Sequence, residues 1–378
     1  MRILFAARNY LGHGGAEESV RTLLSRLAGS HSVRVLCTGG GDDFMVEDGV
    51  RVHVVKMAST PPAYYWLALM RRMDWFKRVV SEHILDFEPD LVLTQLDFTP
   101  PVVDACRRHG VKSVVFARSY EHFCPDGFFR VDPFACSRGC WSCYTDLLKP
   151  FHYPFIRRTQ SLHEDALRGA GLVLSNSGYM SRVVKKFSGV DSPVVPPFID
   201  PERYRVSGSN GDCVAFFNPR REKGSGLVLK MAGGMPERRF MVAGDGEQGF
   251  RKKASLLPNV ECVGMVDDVR EVYSRSRIVV MPSVWPEPFG RVAVEAMVSG
   301  IPALVSGMGG LPDVVGDAGV VLDLNTGSWV EAVNRMFDDD PYYRELSSRC
   351  VERAKTYSLD RIVKDFTDAV SSRLGVVL

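Results

Sequence analysis

Pro282-Ser283-Val284-Trp285-Pro286-Glu287-Pro288-Phe289-Gly290-Arg291-Val292-Ala293-Val294-Glu295-Ala296 is the stretch whose reading decides the fold. It follows an apolar run at 278–281 that reads as a buried strand. Pro286, Pro288 and Gly290 keep its first part out of helix, while 291–298 is a good helical run. Glu287 therefore falls in the loop before a helix, and Glu295 roughly one turn inside it. Backbone N–H groups near 289–291 are the donors that a helix start leaves without intrahelical partners, and they favour an anion such as a pyrophosphate. A carboxylate on each side of that place can accept from sugar and ribose hydroxyls. The plainer alternative for the same residues is a capped helix with two surface glutamates.

The strand–loop–helix unit repeats outward in both directions. Downstream of 213 the apolar runs are 213–217, 239–243, 260–263, 278–281, 303–305 and 319–322. Upstream they are 2–7, 32–37, 50–55, 91–94, 113–117 and 172–176, with helical stretches such as 16–27 and 161–169 between them. This alternation predicts an α/β protein with parallel sheets. Val194-Val195-Pro196-Pro197-Phe198-Ile199-Asp200-Pro201 interrupts it, with the polar stretch 207–212 behind, and marks a linker. We expect doubly wound domains at 1–195 and 196–356, with a tail at 357–378 carrying a last helix over 361–374. Ligands of open parallel sheets bind beyond the carboxyl ends of the strands, so two facing sheets would line a cleft.

The chain has 378 residues, enough for two cores, with 45% hydrophobic and 24% charged residues and a formal net charge of +2. That balance gives no electrostatic case for binding nucleic acid. The opening run is too short for a secretory leader and is broken by Arg8, and no stretch is long and apolar enough to cross a bilayer. The expected place is the cytoplasm, with reduced thiols.

Further motifs extend the reading of the opening stretch. Gly12-His13-Gly14-Gly15-Ala16-Glu17 follows the first strand, and Ser175-Asn176-Ser177 precedes the linker. Phe217-Asn218-Pro219-Arg220-Arg221-Glu222-Lys223-Gly224, Val242-Ala243-Gly244-Asp245-Gly246 and Gly309-Gly310-Leu311-Pro312-Asp313 punctuate the second half. In this order and spacing they resemble retaining glycosyltransferase family four, of the GT-B fold, whose signature is Glu-x7-Glu. The resemblance covers most of the chain.

The resemblance implies two Rossmann-like domains, the first on the acceptor side and the second binding a nucleotide sugar, with the last helix returning to the first domain. It implies that Glu287 contacts the donor sugar and Glu295 the ribose, and that the backbone of Phe289 and Gly290 meets the phosphates. Lys223 would neutralise the diphosphate leaving group, assisted by Arg220 or Arg221. Gly264-Met265-Val266 would receive the nucleobase, and Gly14 and Gly15 would let backbone approach the donor. Many relatives carry Arg where Asn218 stands, and a His where Arg118 stands. Arg118 is a candidate for contact with donor or acceptor, and His122 is another, against a packed or surface histidine. The implied reaction moves a sugar to a hydroxyl-bearing sugar or lipid-linked acceptor with retention, without a metal, in polysaccharide or glycolipid assembly. The rivals are a phosphorylase or epimerase of the same fold, and a non-catalytic nucleotide-sugar binder.

A dehydrogenase does not fit, because Glu17 fills the third glycine position and no acidic residue ends the second strand. Asp338-Asp339-Asp340 reads as a polar helix end rather than a metal site. Cys124, Cys136, Cys140 and Cys143 admit a structural zinc or iron–sulfur site, disulfides, or unlinked thiols. Residues 64–78 mix aromatic with basic side chains, which suits either peripheral contact with the inner membrane face or a helix covering the first sheet.

Overall fold

The apolar runs assemble into two parallel sheets, one from each half of the chain. The computed structural model describes residues 1–378 except 13, 58–64, 125, 126, 128, 130, 131, 138, 139, 144–148 and 207–210; the side chains of 65–67, 141, 142, 149, 150 and 248 are likewise outside the description. His13 of the glycine loop, Tyr64 and the side chains of Tyr65, Trp66 and Leu67 thus lie outside the described residues, as does most of the polar stretch 207–212.

The first sheet contains β1 (Arg2–Ala6), β2 (Ser32–Gly39), β3 (Asp43–Glu47), β4 (Val50–Lys56), β5 (Leu91–Gln95), β6 (Lys112–Ala117) and β7 (Leu172–Ser175). Its order is β3-β4-β2-β1-β5-β6-β7. Six of these match the expected apolar runs within two residues. β3 was not expected. It pairs antiparallel with β4 at the sheet edge, and Phe44 and Val46 on it are exposed. A strand with no buried face shows no hydrophobic alternation. The signal that could have found it is Asp48-Gly49, which makes the two-residue hairpin turn with both residues at positive φ.

The second sheet contains β8 (Cys213–Phe217), β9 (Arg239–Ala243), β10 (Val260–Gly264), β11 (Ser276–Met281), β12 (Ala303–Ser306) and β13 (Val320–Leu322). It is parallel throughout and ordered β10-β9-β8-β11-β12-β13. Its central strands are buried along their length, which is why they read as continuous apolar runs. On one face Phe216, Phe240, Ile278 and Leu304 pack with Met231, Trp329 and Met336 from helices. Trp329 is fully buried and places its indole N–H on the Asp323 carbonyl at 2.7 Å.

The chain forms two units, Met1–Phe198 with Ile362–Leu378, and Ile199–Arg361. The divisions fall at 198 and 361, where the sequence placed them at 195 and 356. Phe198 explains the first shift. Its N–H donates to Ser19 Oγ at 2.8 Å, and its ring meets Phe116 and Phe366 edge-on inside the first unit. The helix Leu359–Leu374 accounts for the second, because its buried residues begin at Ile362.

Helix Lys149–Gly169 is longer than the stretch 161–169 expected, and carries Pro154 inside it. Helix Tyr65–Phe87 buries Leu69, Met73, Phe76, Val80 and Ile84, at spacings of three to four residues, against the first sheet. Asp339 caps helix Asp340–Lys355 by accepting from the Tyr342 N–H. Asp338 pairs with Arg238 at 2.7 Å and Asp340 with Arg277 at 2.6 Å, so the acidic run serves a helix start and ion pairs. Among the described residues no helix is long and apolar enough to cross a membrane.

Candidate functional site

In the second sheet the strand order reverses between β8 and β11, and the loops leaving their carboxyl ends carry the expected site residues. The loops are locked together. The Val284 N–H donates to the Glu222 carbonyl at 2.9 Å, and Gly224, at φ +83, comes so close that an added Cβ would lie 1.9 Å from the Pro282 carbonyl oxygen. Only glycine fits there.

Glu287 lies in the β11 loop and is 5% exposed. Its backbone pairs with Gly309, and the Gly310 N–H donates to its carbonyl at 2.7 Å. Gly309 sits at φ +72, where a Cβ would fall 2.2 Å from that same carbonyl oxygen. The Glu287 carboxylate accepts from the Lys223 ammonium and from the Ser283 hydroxyl, each at 2.6 Å and both on Oε1. Lys223 also lies 5.1 Å from the centre of the Trp285 ring, a cation–π arrangement. An ammonium, a carboxylate and an indole face thus meet above one switch point.

Lys223 closes the short 3-10 turn Arg221–Lys223, with Arg220 at its start. Arg220 and Arg221 are exposed, and the Arg221 N–H donates to Glu247 Oε1 at 2.8 Å. Asn218 opens the loop at φ +54, with its N–H on the Ala243 carbonyl at 2.8 Å. Asparagine tolerates this left-handed conformation better than most residues do.

Gly290, at φ +117, turns the chain into helix Arg291–Met297. Phe289 points its ring into the protein, edge-on to Tyr357, so its backbone is what it can offer a ligand. Glu295 is nearly buried on that helix. Its Oε2 accepts from the Tyr273 hydroxyl at 2.9 Å, and Oε1 stands 3.4 Å from Arg291, which in turn donates to Tyr204 at 2.9 Å. Burial, reinforced by the Glu295 charge, raises the Tyr273 phenol well above its ordinary range, so it remains a donor. Met265 follows β10 and is exposed, on a loop entered through Gly264 at φ +74.

The first unit treats its expected residues differently. Gly14 precedes helix Gly15–Ala28, and a Cβ added to it would fall 2.2 Å from Glu17 Oε2. The Glu17 carboxylate therefore folds back over the glycine loop. Arg118 is 7% exposed after β6. Its guanidinium donates to Ser19 Oγ at 3.0 Å and lies over the rings of Phe116 and Phe198 at 4.2 and 5.2 Å. His122 is buried, 3.2 Å from His163 through their Nδ1 atoms. Burial pushes His122 down to about 4, and burial with the neighbouring His122 holds His163 well below its ordinary value, so each is neutral at pH 7. Crowding by protein, with Asp97 and Glu17 near, pushes the Glu121 carboxyl up to about 7, although the residue stays partly open to solvent.

A family model described as Glycosyltransferase Family 4 matches residues 13–203, half of the chain, and one described as Glycosyl transferases group 1 matches 213–339. The chain belongs to glycosyltransferase family 4. Among family 4 relatives, a D-inositol 3-phosphate glycosyltransferase of Mycolicibacterium smegmatis is 29% identical over 222 residues, 53% of this chain and 50% of that protein. One of Corynebacterium diphtheriae is 35% identical over 95 residues, 24% and 22% of the two chains. The chain thus spans half or less of the length of these curated relatives. Two solved structures share the fold. HepE of Anabaena, in complex with UDP and glucose, matches with a TM-score of 0.72 at 18% identity, over 98% of this chain and 99% of that one. Sucrose-phosphate synthase of Thermosynechococcus elongatus matches with a TM-score of 0.76 at 17% identity, over 99% of each chain. The pair of doubly wound α/β domains is the GT-B fold.

The family motifs do not account for everything at the site. Ser283, Tyr273 and Tyr204 hold the family's glutamates and Arg291, and only Ser283 had a sequence signal, four residues before Glu287. The cysteines stand apart from the family motifs. Cys124, Cys136, Cys140 and Cys143 are half-buried, and Gln160 Nε2 donates to Cys140 Sγ at 3.1 Å and to the Phe123 carbonyl at 3.2 Å. Among the described residues no group of three His, Cys, Asp or Glu is placed to hold a metal ion.

Proposed function

We propose that this chain transfers a hexose-type sugar from a nucleoside-diphosphate donor to a hydroxyl acceptor, with retention and without a catalytic metal. The observation that carries the proposal is the Lys223–Glu287 contact at 2.6 Å across the two loops of the β8/β11 switch point. Cleavage of the anomeric bond leaves its electron pair on the diphosphate. Lys223, with Arg220 or Arg221, neutralises that developing charge, and backbone N–H groups at Phe289 and Gly290 add to it. Glu287 accepts from a sugar hydroxyl, Glu295 from the ribose, and the loop at Met265 takes the base. The acceptor oxygen bonds to the anomeric carbon on the face the phosphate leaves, and a phosphate oxygen takes the acceptor proton, so no protein nucleophile is required.

HepE is in complex with UDP and glucose, which makes UDP-glucose the first donor to try. The inositol phosphate named in the curated relatives makes a polyol or sugar hydroxyl the acceptor class, in polysaccharide or glycolipid assembly on the cytoplasmic side. Peripheral membrane contact would fall to the solvent face of helix Tyr65–Phe87, where Arg71 and Arg78 are exposed. No cofactor enters this scheme. A structural zinc or iron–sulfur site at the four cysteines would have to draw the thiols together, and metal analysis of the purified protein tests it. The transferase is tested by a thermal-shift screen of nucleotide sugars, followed by NMR of the product's anomeric configuration. One donor should stabilise the protein markedly. Stabilisation by none, or an inverted product, would overturn the proposal.

A further inference from the structure

Lys223 and a donor sugar make competing claims on Glu287. In the free protein the ammonium sits on Oε1 of a carboxylate whose side chain is 7% exposed. When Lys223 turns to a diphosphate, the carboxylate loses the cation that fixes its rotamer, and something else must hold it as an oriented acceptor. Ser283 is built for this. It is 1% exposed, four residues before Glu287 on the same loop, with its Oγ 2.6 Å from the same Oε1. A carboxylate only accepts, so the single hydroxyl proton of Ser283 is committed to Glu287. The backbone of Ser283 is fixed in turn by the fully buried Ser306, whose hydroxyl donates to the Ser283 carbonyl at 2.7 Å. Among the described residues both side-chain bonds to Glu287 land on Oε1, which leaves the lone pairs of Oε2 for a ligand.

We propose that Ser283 is a positioning residue: it keeps Oε1 of Glu287 fixed while Lys223 exchanges from that oxygen to the donor diphosphate, so that Oε2 accepts from a sugar hydroxyl. The proposal rests on the donor reading above and deepens it. Ser283 touches neither sugar nor phosphate. Its effect is confined to the part of the affinity that depends on the sugar, because the nucleoside diphosphate is held by Lys223 and the backbone.

The test is calorimetric binding of UDP and of UDP-glucose, repeated with GDP and GDP-mannose, to the full chain and to Ser283→Ala and Ser283→Thr. Ser283→Ala should bind the bare diphosphate within about twofold of the wild type and lose about tenfold in affinity for the sugar-bearing form, the size of one charge-assisted hydrogen bond. Ser283→Thr, which keeps the hydroxyl, should restore most of that preference. Equal loss for both ligands, together with a lowered Tm, means that Ser283 only supports the loop and overturns the proposal. Unchanged preference in Ser283→Ala also overturns it. Should no nucleotide of either pair bind the wild type, the failure belongs to the donor reading, and the positioning role falls with it.

Discussion

The loops at the carboxyl ends of the two sheets use their charged residues in opposite ways. In the second unit Glu287 accepts from both Lys223 and Ser283, and the Lys223 contact is the one the proposed donor would replace. In the first unit Arg118 is tied to Ser19 Oγ and covered by Phe116 and Phe198, His122 is closed against His163, and Glu17 folds over the glycine loop. One set stands on the loops of a switch point; the other is packed within its own unit. A charged side chain at a strand end can thus be held by the packing of its own unit, as Arg118 is, or stand in a pair on a switch-point loop, as Lys223 does.

Lys223→Ala should separate the two behaviours most sharply. Turnover should fall about 100- to 1,000-fold, as for loss of a preorganised charge at the leaving group, with a Tm change of no more than about 4 °C. Near-normal turnover would make the exchange reading untenable. Gly224→Ala comes next. It forces a Cβ onto the Pro282 carbonyl at a positive φ, and should cost about 3 kcal/mol of stability in urea melts along with donor binding. An unaffected variant would mean the two loops are not locked.

Arg118→Ala should cost about 2 kcal/mol of stability, through the lost hydrogen bond and the emptied space between two rings. Nucleoside-diphosphate affinity should stay within about twofold; a larger drop would move Arg118 back among the recognition residues. The buried histidines give an effect of similar size that is confined to acid pH. Their folded values lie below the unfolded value of about 6.5, so the stability they allow is present above that pH and is lost as pH falls through about 4. The pair His122→Phe with His163→Phe should lose about 2 kcal/mol less than the wild type across that window. Parallel Tm–pH curves would show that the histidines do not drive the acid limb.

Much of the second unit was legible because its chemistry is local. Strands 213–217 and 239–243 were delimited to the residue, and Lys223, Glu287 and Glu295 fall in two short unbroken motifs, the first two on loops and Glu295 on the helix that follows. Parallel strands buried on both faces declare themselves as apolar runs, and a switch point places their loops together without further information. What the sequence concealed depends on partners distant along the chain. Ser19 meets Arg118 across 99 residues, and His122 meets His163 across 41. No periodicity encodes such pairs. Ser283 and Tyr273 were missed for a related reason, since serine and tyrosine carry no charge to draw notice and gain their roles only from the carboxylate each one holds. Edge strand β3 escaped because neither of its faces is buried.

Calorimetry of one nucleoside diphosphate, the one that best stabilises the wild type, against Lys223→Ala and Arg118→Ala is the most direct measurement. A loss of about 100-fold is expected for Lys223→Ala, within the range set by removal of a preorganised charge, and a loss within about twofold for Arg118→Ala. Equal losses in the two variants, or the larger loss at Arg118, would contradict it.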